Sequence, residues 1–383
     1  MSPIAPTTAF IIRHGERIEY IQKLLKLDKP INHQSYLDHV NKTWQPDPRD
    51  GIWDPPLSSI GHKQAEQTGS RLMDLLLDRG IKPQKALIVI YTSPFLRCVE
   101  TAIGIASGMA KYNSKLEPTR EKDDVILMKD ILMDAQPDHG SLLRPILRLD
   151  LGLGEWMSDK FFHEVCPAQA MINRRQETLA RRQAMTYAAA AHPHRLFPKG
   201  TLETLPPLVI DYGHHSLCTE FNYPESYLEM IDRFEESQRH CVERATLGLP
   251  VKLEPETVVV PVFVTHAIGV NALLDSFRNQ PTRPVETGYC AIACVQSNHI
   301  NTHGNTNGFR ATMNNGSLIS SSMSSSSSSY SSSSGSSGSD QSDGDLDEDE
   351  PQYAEIAMPT IMSFKNRWTV NMAVSNSHLQ DIC

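Results

Sequence analysis

Three apolar runs in this chain break off at a cationic or imidazole side chain. Ala9–Ile12 runs straight into Arg13-His14-Gly15. Ala86–Tyr91 closes with Thr92-Ser93-Pro94 and leads into a helical pattern from Phe95 to Ala102 that carries Arg97. Thr257–Thr265, the most β-rich run in the chain, ends at His266 and passes directly into a helix over Ala267–Phe277. Apolar runs without polar alternation read as strands buried on both faces, and strands alternating with helices read as a mostly parallel sheet. Such sheets bind ligands at the carboxyl edge of their strands. The spacing therefore predicts that His14, Arg97 and His266 open onto one rim. The agreement of three strand ends is far stronger than any one of them.

The residue types at that rim suit an anion. A neutral imidazole is a nucleophile, and guanidinium forks match phosphate oxygens. Arg13 and Arg17 flank His14, and Gly15 lets the backbone turn or approach another group closely. Arg97 sits at a helix N-terminus, where anions are favoured; the alternative is a surface pair with Glu100. A further apolar run, Ile146–Leu153, leads into Gly154-Glu155-Trp156. Enclosed there, the Glu155 carboxyl would have its pKa raised toward a proton-donating range; the alternative is an acid of a surface turn.

Composition narrows the partners. The 383-residue chain carries a formal net charge of −9. Eight acids fall between Asp340 and Glu355 with no Lys or Arg among them, leaving 37 acids against 36 bases elsewhere. This near-neutral body has no clustered basic excess, so direct nucleic-acid binding is not expected. No apolar run is long enough to span a membrane, and no charged start precedes an apolar core, so neither a membrane nor secretion is expected. The seven cysteines include no C-x-x-C pair and read as reduced thiols of a cytoplasmic or nuclear protein. Cys290 and Cys294 lie four apart in a strand-like run, which predicts that they share a face.

The rest of the chain organises around those strands. Ile18–Leu27 has helical spacing, and 29–54 reads as a loop. Ser58 or Ser59 caps a helix whose buried stripe is Ala65, Leu72, Leu75 and Leu76 and which ends at Gly80. Residues 157–223 form an insertion or lid region containing a helix over Ile172–Ala191. Pro224 reads as the first residue of a helix faced by Tyr227, Met230, Ile231 and Phe234. Gly288–Gln296 and Trp368–Val374 are strands of an antiparallel hairpin at the sheet edge. Between them, a serine tract from Ser317 to Ser339 and an acidic run cannot bury enough apolar surface to order. Three regions result: a body over 1–297, a disordered serine-rich and acidic loop over 298–363, and a final edge strand with a tail over 364–383. The loop is a candidate surface for protein partners.

Five blocks carry a family resemblance. They are Arg13-His14-Gly15-Glu16-Arg17; Asp54-Pro55-Pro56-Leu57-Ser58 with Gly61 and Gln64-Ala65; Ser93-Pro94-Phe95-Leu96-Arg97 with Glu100-Thr101-Ala102; Gly152-Leu153-Gly154-Glu155-Trp156; and Val264-Thr265-His266-Ala267. Their order resembles the histidine phosphatase (phosphoglycerate mutase-like) superfamily, branch 1. Within it the chain looks most like the phosphatase domain of the suppressors of T-cell receptor signalling and the histidine-phosphatase subunit of fungal transcription factor IIIC. Ala267 after His266 departs from the phytase-like branch.

The resemblance implies a three-layer α/β/α sandwich whose mostly parallel sheet has an antiparallel edge strand. It implies that His14 is phosphorylated, that Arg13, Arg17, Arg97 and a protonated His266 bind the phosphoryl group, and that Glu155 is general acid and then base. The substrate would be a phosphorylated small molecule or phosphopeptide, with no metal and no cofactor required. A non-catalytic module of a larger assembly is the alternative, and a phosphoglycerate mutase ranks below both.

Overall fold

A computed structural model of the chain describes residues 6–18, 54–116, 144–160, 162, 168–191, 208–254, 256–297 and 368–380. Seven strands form one sheet: β1 (Thr8–Arg13), β2 (Ala86–Thr92), β3 (Ile146–Leu149), β4 (Val209–Ile210), β5 (Val258–Thr265), β6 (Ile292–Ser297) and β7 (Trp368–Ser375). Their spatial order is β4-β3-β2-β5-β1-β6-β7. The first five run parallel, with β5 between β2 and β1. β6 is antiparallel to β1 and β7 is antiparallel to β6, so the reversed strand lies one place in from the edge. Pro261 stands mid-strand in β5 opposite Val89 and has no N–H to give that ladder.

Alternate residues of each strand feed two cores. Phe10, Ile12, Ile88, Ile90, Val260 and Val262 face one way. There they meet α1 (Ser59–Asp78) through Leu72 and Leu76, and α2 (Leu96–Leu116) through Val99, Ile105 and Met109. The helix α3 (Ala168–Ala191) adds Met171 and Leu179 to this side. Ala9, Ile11, Leu87, Val89, Val259 and Phe263 face the other way. They pack on α4 (Tyr227–Glu243) through Met230 and Phe234, and on α5 (Ala267–Arg278) through Val270, Leu273 and Phe277. The result is a three-layer α/β/α sandwich of phosphoglycerate mutase-like topology. Each large apolar side chain buried this way contributes about 1.5–3 kcal/mol.

Local signals mostly read true. Ser58 caps α1 by accepting from Gly61 N, and Gly80 ends the turn with φ +72°. Pro224 is not the first residue of α4. The helix begins at Tyr227, capped by Ser226 in a reciprocal box with Glu229. The last apolar strand starts at Ile292 rather than Gly288, because Cys290 adopts φ +51° in a turn. Cys290 and Cys294 consequently pack in different clusters rather than sharing a face. β4 falls in a stretch of weak periodicity and gave no strand signal. Most of 18–27 and all of 29–53, together with the serine-rich and acidic loop, lie outside the described residues. Among the described residues no helix is long and apolar enough to cross a membrane.

Candidate active site

Strand register assembles the site. Arg13 pairs with Thr265, and Thr92 with Val264, so the next residues along β1, β2 and β5 emerge side by side. The ladder continues one step past the strands, with His14 N donating to Thr265 O at 2.9 Å and Ser93 N to Val264 O at 3.0 Å. The 13–16 backbone is tied residue by residue. Arg13 N donates to Ala291 O, Gly15 N to Thr101 Oγ1 at 2.9 Å, and Glu16 N to Gln64 Oε1 at 2.9 Å. A Cβ on Gly15 would stand 2.7 Å from Gly61 O, so the two glycines let this loop and the start of α1 touch backbone to backbone.

His14 is buried, and its Nδ1 lies 2.7 Å from Gly15 O. A carbonyl only accepts, so Nδ1 carries the hydrogen and Nε2 keeps the lone pair. Burial, then the charges of Arg97, His266 and Arg13, hold its pKa well below the ordinary 6.5. The imidazole is therefore neutral and nucleophilic at physiological pH.

Facing it, His266 sits at the N-cap of α5, its ring centroid 5.4 Å from that of His14. Its Nδ1 is 3.0 Å from Glu155 Oε2, and its Nε2 is 3.0 Å from Ser93 Oγ. The carboxylate takes the Nδ1 hydrogen, which leaves Nε2 to accept from the serine hydroxyl. Arg97 donates from Nη2 to Glu155 Oε2 at 3.1 Å, with its guanidinium 4.6 Å over the Phe95 ring. This arginine is 1% exposed, which rules out the surface pair with Glu100. Glu100 instead accepts from Leu57 N at 2.7 Å.

Two electrostatic expectations are corrected. Burial alone would push the Glu155 carboxyl up, but His266, Arg97 and Arg17 outweigh it and hold it well below the usual carboxylate range. Glu155 is thus ionised here rather than poised as an acid. Burial lowers His266 to about 4, with Glu155 opposing and Arg97 reinforcing the shift, so it is neutral near pH 7 rather than protonated. A phosphate dianion among these groups would reverse both trends, because it favours the protonated forms.

Arg13 donates to Thr287 O and lies 4.2 Å over the Tyr289 ring, whose centroid is 5.8 Å from that of His14. Arg17 forms an isolated bridge with Leu57 and acts on both Glu155 and His266 electrostatically. All six residues read from the sequence converge on this rim. Ser93 and Tyr289 carry no periodic signal in the sequence: Ser93 is a single polar residue between β2 and α2, and Tyr289 a single aromatic residue in a turn.

A second buried cluster lies behind the Glu155 segment. Asp150 accepts from His214 Nε2 (2.9 Å), Ser216 Oγ (2.9 Å), Gly152 N (3.0 Å) and Cys241 Sγ (3.4 Å). Its carboxylate is satisfied as a hydrogen-bond knot, and burial pushes the Cys241 thiol well up, away from the thiolate a metal would need. The three potential ligand atoms lie within 4.8 Å of one another.

The α/β/α fold and a rim of two imidazoles, arginines and a carboxylate are consistent with the mechanism of a phosphohistidine-type phosphoric monoester hydrolase. Residues 39–122 match the model of the histidine phosphatase superfamily (branch 1). Among solved structures it is similar to the ecdysone phosphate phosphatase from Bombix mori in complex with tungstate, at 16% identity and TM-score 0.39, covering 79% of this chain and 98% of that one. It is also similar to a mycobacterial glucosyl-3-phosphoglycerate phosphatase, at 17% identity and TM-score 0.34, covering 76% and 91%. Bacillus stearothermophilus YhfR matches at 18% identity and TM-score 0.34, covering 76% and 92%. No curated protein matches the chain by sequence.

Proposed function

We propose that the protein hydrolyses phosphate monoesters, of small molecules or phosphopeptides, through a phosphohistidine on His14. The observation that carries this reading is the placement of a neutral His14 beside Arg97, His266 and Glu155, the last three within 3.1 Å of one another.

Phosphoryl transfer needs positioning and charge stabilisation more than covalent chemistry from the protein. Arg13, Arg17 and Arg97 hold the equatorial oxygens, and the N-terminus of α5 at His266 adds its dipole. His14 Nε2 attacks phosphorus as the ester P–O bond breaks. The leaving oxygen needs a proton, yet Glu155 starts ionised. A phosphate ester monoanion brings one, since its second pKa is about 6. Glu155 takes that proton on binding and delivers it to the leaving oxygen. In the second half it removes a proton from water, the new O–P bond forms, and the N–P bond breaks to free His14 and phosphate.

Within the superfamily, the Pro55-Pro56-Leu57 block and Glu155-Trp156 support a placement nearest the suppressors of T-cell receptor signalling and the transcription factor IIIC subunit. Four free and buried thiols, Cys98, Cys241, Cys290 and Cys294, suit a cytoplasmic or nuclear setting. The acidic serine-rich tract would serve protein partners.

The test is turnover of p-nitrophenyl phosphate in excess chelator, followed by 3-phosphoglycerate with its bisphosphate primer. Phosphate release in the first assay, unaffected by the chelator, is expected. Isomerisation without net release in the second would make the chain a mutase. No turnover by the isolated chain, together with co-purification with a large assembly, would make it a binding module.

A further inference from the structure

The segment that carries Glu155 is held from behind by a charged pair that takes no part in the chemistry. Arg233, on α4, donates from Nη1 to the carbonyl oxygens of Gly152 (2.7 Å) and Gly154 (3.2 Å) and from Nη2 to that of Glu155 (3.1 Å). It also grips Glu225 with two parallel bonds, Nε to Oε1 at 2.7 Å and Nη2 to Oε2 at 2.8 Å. Glu225 in turn accepts from Met157 N at 3.1 Å, and its own carbonyl accepts from the Trp156 indole at 2.9 Å. Leu153 is the one residue of 152–157 that the pair does not reach. Its carbonyl is taken by Thr265 Oγ1 at 2.8 Å, on the strand that delivers His266.

Buried ion pairs often add little net stability over apolar replacements. The Arg233 and Glu225 side chains are 9% and 2% exposed, so their desolvation is costly. What sets this pair apart is where its bonds go: to backbone groups immediately before, at and after one reactive carboxylate. That side chain is itself 21% exposed and has no strand to hold it. Such a fork fixes the direction in which Glu155 leaves the backbone.

We propose that Arg233 and Glu225 are positioning residues for Glu155, setting its carboxylate where a proton can pass to the leaving oxygen. The proposal rests on the reading of Glu155 as proton carrier. It is separable from that reading because the demand for a proton depends on the leaving group. p-Nitrophenolate departs with little help, whereas a primary alkoxide must be protonated.

The experiment compares kcat/KM, which ends at histidine phosphorylation, for p-nitrophenyl phosphate and a primary alkyl phosphate. Arg233→Met is expected to lose ~100-fold on the alkyl ester, the scale of a misplaced catalytic group. It should lose only a few-fold, about the margin left when general acid help is not needed, on the nitrophenyl ester. Glu155→Gln should show the same selectivity, and Arg233→Lys should recover part of the loss. Equal losses on both esters, or none, in Arg233→Met while Glu155→Gln stays selective would overturn the positioning role alone. If Glu155→Gln shows no selectivity, the proton-carrier reading falls and takes this proposal with it. Should Arg233→Met not fold, the Arg233→Met/Glu225→Gln double variant removes both charges and must give the same selectivity. Failure of that variant to fold as well would mark the pair as purely structural and overturn the proposal.

Discussion

The two halves of the site are built differently. His14, Ser93 and His266 lie one residue past the ends of three hydrogen-bonded parallel strands; the ladder that makes the sheet continues through the N–H groups of His14 and Ser93, and the His266 carbonyl opens the helix that follows. Glu155 lies two residues beyond a short helical turn at 151–153, in a segment held by side chains from α4 and β5. The first half inherits its geometry from the core, and the second has to be clamped. Damage to the core should therefore harm every substrate alike, and damage to the clamp should harm only reactions that need a proton.

The largest effect belongs to the strand half. His14→Ala removes the nucleophile and is expected to lower kcat by at least ~10⁴-fold on every ester, measured by phosphate release. Comparable residual turnover on all esters would place the nucleophile elsewhere. Arg97→Ala comes next, with a loss of about 10²–10³ that does not depend on the leaving group. A leaving-group-dependent loss at Arg97 would blur the division between the halves, since Arg97 also touches Glu155.

The effect of pH sharpens the same contrast. The folded pKa of His266 is about 4, and that of His14 is also well below 6.5. Below 6.5 the unfolded chain takes up protons that the folded chain does not, so stability is full above 6.5 and falls as pH drops toward 4. Glu155, also depressed, acts in the same direction below its ordinary 4.5. Thermal melts from pH 7.5 to 4.5 should show a decline that His266→Asn flattens. An unchanged slope in that variant would remove His266 from the account.

The smallest effect is at the exposed start of α4. Ser226→Ala removes the helix cap and should cost about 1 kcal/mol in denaturant unfolding, with kcat/KM unchanged on both esters. A change in selectivity there would mean that the helix, rather than Arg233 itself, sets Glu155.

The division also explains what could be read from the chain. Strand-borne residues were legible because an apolar run that stops at His14 or His266 leaves a mark in the sequence itself, and register then does the rest. Arg17 and Glu155 were legible chiefly through family resemblance. The Arg233 clamp left no mark, because its partners are carbonyl oxygens that any residue type could supply. The direction of the Glu155 shift was misread for a related reason. Gly154 and Trp156 flank it in the chain, but Arg97 and His266 reach it only through the fold. β4, with two residues, is too short to show a period. The turn at Cys290 depends on a left-handed backbone at a residue type that seldom adopts one.

The central claim is the covalent step at His14. Brief incubation of the Glu155→Gln variant with a ³²P-labelled aryl phosphate should trap label, because attack proceeds while the water is not activated. That label should be lost in mild acid, survive alkali, and map to the peptide containing His14. Label absent under these conditions, or held on a serine such as Ser93 in an acid-stable linkage, would contradict the account.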